Sequence, residues 1–317
     1  MNETSFFEIN DPWVVEQRPP KNDVDPFRPY EFLLEKERTH TGDIVETATI
    51  FLTNRECPFR CLMCDLWKNT TDETVPSGAI PAQIEWALQE LPDRAKQIKL
   101  YNSGNFFDSK AIPPEDLPKI ADLVRGFDNV VIENHPKLVS GKCVDFAKKL
   151  GGRLEVAMGL ETVHPGVLGR LNKRMTMSDY QKATRFLVRH GIAVRAFVLL
   201  RPPFLDEDEG VEWAKKTIDF AFDVGVECCA VIPTRAGNGA LDALWKQGLF
   251  KPPTLASLEE VFDYGIEKKS GRVFADLWDL EQFSKCDLCL EDRKQRLYKM
   301  NMAQVVLPRV PCECSRR

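Results

Sequence analysis

Six short apolar runs, each separated from the next by a helical pattern, constrain this 317-residue chain more than any single motif. The runs lie near residues 44–54, 97–102, 129–133, 153–161, 192–200 and 226–233. Residues 81–91, 114–126, 142–150, 178–190 and 208–225 between them carry apolar positions at helical spacing. Strand, helix and strand in repeated succession predict parallel βαβ units. The expected class is α/β, as a partial (β/α)6 TIM-like barrel. An open doubly wound sheet is less favoured, because chemically distinctive residues recur at the C-terminal ends of successive strands, where barrel loops converge. No glycine-rich dinucleotide fingerprint follows the first strand, which argues against a nucleotide-binding sheet. Residues 1–43, rich in proline and charge, read as an N-terminal arm, 44–270 as the barrel, and 271–317 as a small cysteine-containing C-terminal extension.

Directly after the first run stand Cys57, Cys61 and Cys64, spaced CxxxCxxC. Three thiolates in one loop can hold three irons of a [4Fe–4S] cluster and leave the fourth open to a small molecule. Zinc would want a fourth ligand, and His40, well before the strand, is the one histidine between Tyr30 and Tyr101. Structural disulfides are not expected, since residues 1–10 are polar and acidic with a single apolar pair and do not read as a secretory leader.

CxxxCxxC after a first strand resembles the signature of the radical S-adenosylmethionine (SAM) superfamily. The resemblance implies the same barrel, with the open iron chelating the amino and carboxylate groups of SAM's methionine. It implies one-electron reduction, with a flavodoxin or ferredoxin as the expected donor, and homolytic cleavage to a 5′-deoxyadenosyl radical that removes a hydrogen atom from substrate. Met63 then falls where the superfamily often has an aromatic residue near adenine. Ser103-Gly104-Asn105, after the second run, occupies the place of a Gly-Gly-Glu turn that meets SAM's ammonium. Glu161, ending the fourth run, can accept hydrogen bonds from ribose or the ammonium. Lys173 or Arg174 is expected to pair with the SAM carboxylate, position favouring the lysine and bidentate geometry the arginine. Phe204, in Arg201-Pro202-Pro203-Phe204-Leu205, offers a wall for adenine or simply packs in the core.

Several stretches, including 103–108, 159–162, 201–205 and 244–248, resemble the elongator-catalytic-subunit-like branch of the superfamily. That branch includes the radical SAM component of archaeosine synthase, and the resemblance implies a nucleoside substrate, a tRNA 7-deazaguanine among the options, or another small polar metabolite. Net charge is −5, which disfavours a long nucleic-acid contact, so tRNA is an open partner rather than an expected one. Residues 132–136 and 232–238 supply polar groups for a substrate, among them His135 as a proton donor or an ordinary loop histidine. The reading from a different class is a noncatalytic Fe–S or redox-sensing protein on the same fold.

A second cysteine set, Cys286, Cys289, Cys312 and Cys314, brackets a basic helical stretch. Four thiolates satisfy structural zinc, and an auxiliary iron–sulfur cluster or unliganded thiols are the alternatives. Cys143, Cys228 and Cys229 fall in helix or strand patterns and read as small core residues. No apolar run approaches the roughly 18 residues that span a bilayer, so a cytoplasmic protein without membrane contact is expected.

Overall fold

Period-two alternation in the apolar runs produces one sheet with two different faces. The computed structural model describes residues 8–92 and 94–312. The strands are β1 (Glu31–Arg38), β2 (Ile44–Phe51), β3 (Gln97–Tyr101), β4 (Asn129–Glu133), β5 (Arg153–Glu161), β6 (Ala193–Leu200), β7 (Cys228–Pro233) and β8 (Arg272–Ala275). They neighbour one another in chain order, β1 antiparallel to β2 and all other pairs parallel. A doubly wound sheet would reverse strand order at a switch point. Sequential order makes this the expected partial barrel, with the six predicted runs as β2 to β7.

Helices α1 (Asp11–Glu16), α2 (Ala79–Glu90), α3 (Leu117–Leu123), α4 (Gly141–Ala147), α5 (Pro165–Leu168), α6 (Met177–Arg189), α7 (Glu207–Asp223), α8 (Ala240–Lys246), α9 (Leu255–Glu267) and α10 (Leu290–Ala303) fill the crossovers and flanks. The long ones start where capping chemistry dictates. Thr176 and Asp179 form a capping box for α6, and Asp206 and Glu209 do the same for α7. One parity of the strands packs on these helices: Ile98, Leu100, Val130, Ile132, Val156, Met158, Val194 and Val198 belong to the main apolar core. The other parity, including Tyr101, Ala157, Gly159, Phe197, Ala230 and Phe274, faces a cavity of about 1040 Å³ inside the curl.

The expected arm and extension each contribute a strand to the sheet. Glu31–Arg38, expected as part of the N-terminal arm, pairs along all of β2. Its inward carboxylates have partners: Lys99 Nζ lies 2.9 Å from Glu35 and 2.5 Å from Glu37, and Arg195 lies 2.6 Å from Glu37. Arg195 also reaches Glu155 at 2.6 Å, and Arg272 reaches it at 3.2 Å. Burial alone would raise both carboxyls, but Arg195 and Lys99 hold Glu37 well below the usual range, and Arg195 and Arg272 bring Glu155 to about 2.

β8, only four residues long, leaves an open edge that α10 covers. Asn301 accepts from Ala275 N–H at 2.9 Å and donates to its carbonyl at 2.9 Å. Gln304, just past the helix, does the same to Val273 at 2.8 and 2.7 Å. Two side-chain amides thus replace a ninth strand at the edge. Arg38, ending β1, donates to the Met302 carbonyl at 3.0 Å, so the end of α10 bridges the first and last strands. Among the described residues no helix is long and apolar enough to cross a membrane.

Candidate active site

The cysteine loop leaves β2 under tight backbone control. Gln83 of α2 grips Thr53, accepting from its N–H at 2.8 Å and donating to its carbonyl at 2.8 Å. Glu56 holds Arg18 at 2.7 Å and Lys21 at 3.0 Å, fastening the N-terminal segment over the loop. Leu62 N–H donates to the Leu171 carbonyl at 2.9 Å, and Asn238 Nδ2 donates to the carbonyls of Leu62 at 2.8 Å and Cys64 at 3.2 Å. Loops after β5 and β7 therefore set the path of the thiols.

Cys57, Cys61 and Cys64 all border the cavity. Burial pushes all three thiols up, Cys61 to about 12, while the Lys173 charge opposes the rise at Cys57 and Cys61. Protonated thiols in such a place await a cation to replace the proton. Asn105 Nδ2 stands 3.1 Å from Cys57 Sγ, a donor suited to a thiolate. Three thiols of one loop, turned to a roomy cavity and met by an amide donor and an ammonium, fit a cluster held by three ligands.

Ser103, Gly104 and Asn105 sit beside them. Ser103 has φ +51° and donates through its hydroxyl to Tyr30 at 3.2 Å. A Cβ on Gly104 would lie 3.2 Å from Cys57 Cβ, so the missing side chain lets the turn approach the cysteine loop. Glu133 closes the turn from below, its carboxylate accepting from Asn102 N–H at 3.2 Å. Burial raises this carboxyl to about 7 against the pull of the Asn102 and Gly104 N–H groups.

Across the cavity Lys173 Nζ donates to Glu161 Oε1 at 2.5 Å, both side chains buried. Burial works against the ammonium, but the Glu161 carboxylate, and the Cys61 and Cys64 sulfurs when they carry charge as thiolates, outweigh it and hold Lys173 above its ordinary value. A Cβ on Gly159 would land 2.0 Å from the Glu161 carboxylate and 2.4 Å from Lys173 Nζ. Glycine there makes room for the pair. Glu161 itself has φ +64° beside an irregularity in the β5–β6 register, the kind of backbone strain that collects at functional sites.

Met63, Ser103, Gly104, Asn105, Glu161 and Lys173 thus border one cavity with the three cysteines. Two expected residues do not join them. Arg174 turns away to an ion pair with Asp11. Phe204 lies in the smaller apolar cluster, with the Arg170 guanidinium 3.3 Å from its ring centroid, which is the core-packing alternative. His135 accepts from Lys137 N–H at 3.2 Å and lies 3.0 Å from the Lys173 carbonyl, which assigns the proton to Nε2. Burial and the nearby Lys173 lower it to about 3, and Phe59 stacks on it at 3.9 Å, so it is a neutral, fully engaged loop histidine. Glu133 falls in the 132–136 stretch expected to supply polar groups, whereas Tyr30 and the interior charges were not anticipated; the one signal for the latter was Lys99, Glu155 and Arg195 standing alone within apolar strands.

No family model matches the chain. Archaeosine synthase subunit beta from Thermococcus kodakarensis is 30% identical over 226 residues, 68% of this chain and 69% of that protein. An uncharacterised protein of Methanocaldococcus jannaschii is 22% identical over 316 residues, 92% of this chain and 86% of its own length. Among solved structures, methylornithine synthase aligns with a TM-score of 0.54 at 14% identity over 80% of this chain and 69% of that one, a likeness of fold.

Proposed function

Since the chain belongs to the radical SAM superfamily, within the family of archaeosine synthase subunit beta, we propose that it reductively cleaves SAM to modify a nucleoside or small polar substrate. Bound at Cys57, Cys61 and Cys64, a [4Fe–4S] cluster would supply one electron to SAM, releasing methionine and a 5′-deoxyadenosyl radical that takes a hydrogen atom from substrate. The observation that carries this reading is the convergence of the three thiols, the Ser103–Gly104–Asn105 turn and the Lys173–Glu161 pair on one cavity.

The chain's own residues divide the work. Lys173 presents a fixed ammonium to a carboxylate, Glu161 fixing one of its hydrogens and leaving the others. The turn at Ser103 would offer its carbonyls to SAM's ammonium, and Gly104 lets that turn lie close to the cysteine loop. Asn105 donates to the Cys57 sulfur and so withdraws electron density from a cluster ligand. Met63 offers a soft apolar surface to adenine. The same cavity is bordered by Tyr101, Phe197 and Phe274 and by Lys99 and Arg195, each ion-paired with Glu37, a setting suited to a planar ring with polar edges.

The relatives' designation as a subunit supports a second chain as partner. With a net charge of −5, this chain is poorly suited to neutralise phosphates, and a tRNA substrate would need that partner for its backbone contacts. An external one-electron donor such as flavodoxin or ferredoxin completes the scheme.

The test is anaerobic incubation of the iron-loaded, dithionite-reduced protein with SAM, with chromatography of the products. The reading expects 5′-deoxyadenosine and methionine in equal amounts. No cleavage at full cluster occupancy would overturn it in favour of a noncatalytic Fe–S protein.

A further inference from the structure

The C-terminal cysteines form a site of different geometry. Cys286, Cys289 and Cys312 place their sulfur atoms within 4.8 Å of one another, the one such group of metal-ligating side chains among the described residues. Cys286 Sγ and Cys312 Sγ are 3.8 Å apart. Zinc–sulfur bonds of about 2.3 Å directed to tetrahedral corners set sulfurs about 3.8 Å apart. Cubane clusters bind each thiolate to a different iron and so need a wider set, while a disulfide needs about 2.05 Å.

The surroundings are built for an anionic metal–thiolate centre. Cys289 is buried at the start of α10, where unpaired helical N–H groups favour negative charge. The Arg293 guanidinium, one turn on, bonds to the Cys289 side chain and to Glu259 at 2.8 Å. Ser284 locks the Cys286 turn, donating to its carbonyl at 2.9 Å and accepting from its N–H at 3.2 Å. Cys312 is brought back along the helix because Arg296 donates to the carbonyls of Leu307 at 2.8 Å and Pro308 at 3.1 Å.

We propose that Cys286, Cys289 and Cys312 hold a zinc ion that clamps both ends of α10 in place across the gap between β1 and β8. The ion joins the turn before α10 to the tail after it. That fixes the helix whose Asn301, with Gln304 just past it, seals the β8 edge and whose Tyr298, Asn301 and Met302 border the cavity. Cys314, two residues beyond Cys312, lies outside the described residues. The role proposed for the ion is structural.

The full chain carrying Cys57→Ala, Cys61→Ala and Cys64→Ala separates this site from the cluster loop. Purified without added metal, it should retain about one zinc per chain by mass spectrometry and no iron. Adding Cys286→Ser and Cys289→Ser should release the zinc, lower Tm by about 5 °C or more, and speed amide exchange in α10 and β8. Should that variant not fold, cobalt exchange into the triple variant should give thiolate-to-cobalt charge-transfer absorption with tetrahedral d–d bands. Zinc absent from the triple variant, iron with cluster absorption there instead, a Cys286–Cys312 disulfide in its place, or unchanged α10 exchange after zinc loss would each overturn the proposal.

Discussion

The two cysteine sets differ in geometry, and under the proposed assignments that difference would separate a reactive metal site from a structural one. Cys57, Cys61 and Cys64 lie on a single loop, open to a large cavity and surrounded by polar groups from β3, β5 and the turns beyond them. The C-terminal set joins two distant stretches, draws its sulfurs to within 4.8 Å, and places Cys289 at the start of α10 bonded to Arg293. A site that must admit a small molecule keeps a ligand position free, and a site that must hold a helix fills its positions with the chain itself. Spacing in the sequence announces cysteine pairs in both cases; only the folded geometry tells them apart.

The largest effect should come from the cysteine loop. Replacing Cys61 by alanine should abolish SAM cleavage and strip the iron while zinc content stays unchanged, measured by metal analysis and product chromatography. Loss of both metals together would mean that the two sites are not independent.

Next in size is Lys173→Met. It leaves the Glu161 carboxylate buried without its cation, a change that typically costs about 3–5 kcal/mol. Denaturant unfolding should show that loss, and titration should show weaker SAM binding. Gly159→Ala should act in the same direction, because its methyl group would fall on the pair.

In protein stripped of metal, acid should test the barrel interior. Glu37 and Glu155 have folded values below their unfolded ones, so their stabilisation is complete above about pH 4.3 and is lost as pH falls through the folded values, about 2 for Glu155. Stability followed by urea unfolding should decline over that window, and Arg195→Leu should remove most of the dependence while lowering stability at neutral pH.

Smaller effects should come from the clamp and the rim. Asn301→Ala removes both bonds to Ala275 and leaves its N–H and carbonyl unsatisfied, for a loss of about 1–3 kcal/mol. Arg174→Ala removes an ion pair at the surface and should change stability by no more than about 0.5 kcal/mol, with SAM affinity unaltered. A large drop in SAM affinity for Arg174→Ala would return that residue to the site in place of Lys173.

How far the sequence revealed this molecule depended on whether local pattern or distant partners decided each element. Strands β2 to β7 were legible because their apolar runs are bounded by helical patterns and turn residues. β1 was not, since Glu35 and Glu37 look solvated until Lys99 and Arg195 arrive from strands far along the chain. β8 is too short to register, and its edge depends on two amides of a later segment. At the site, the cysteine loop and the Ser103 turn could be placed by their position after strands. The choice between Lys173 and Arg174 could not, because neighbouring residues in a turn point in opposite directions and only the fold says which one meets Glu161. For Phe204 the sequence left an adenine wall and core packing both open, and its packing against the smaller apolar cluster with Arg170 over the ring depends on distant partners.

In the proposed scheme the loop thiols leave one iron of the cluster free for SAM. Electron paramagnetic resonance of the reduced protein, recorded with and without SAM, probes that iron. SAM should shift the signal of the reduced cluster, and the shift should weaken in Lys173→Met. An unchanged spectrum at full iron loading and saturating SAM would contradict that scheme.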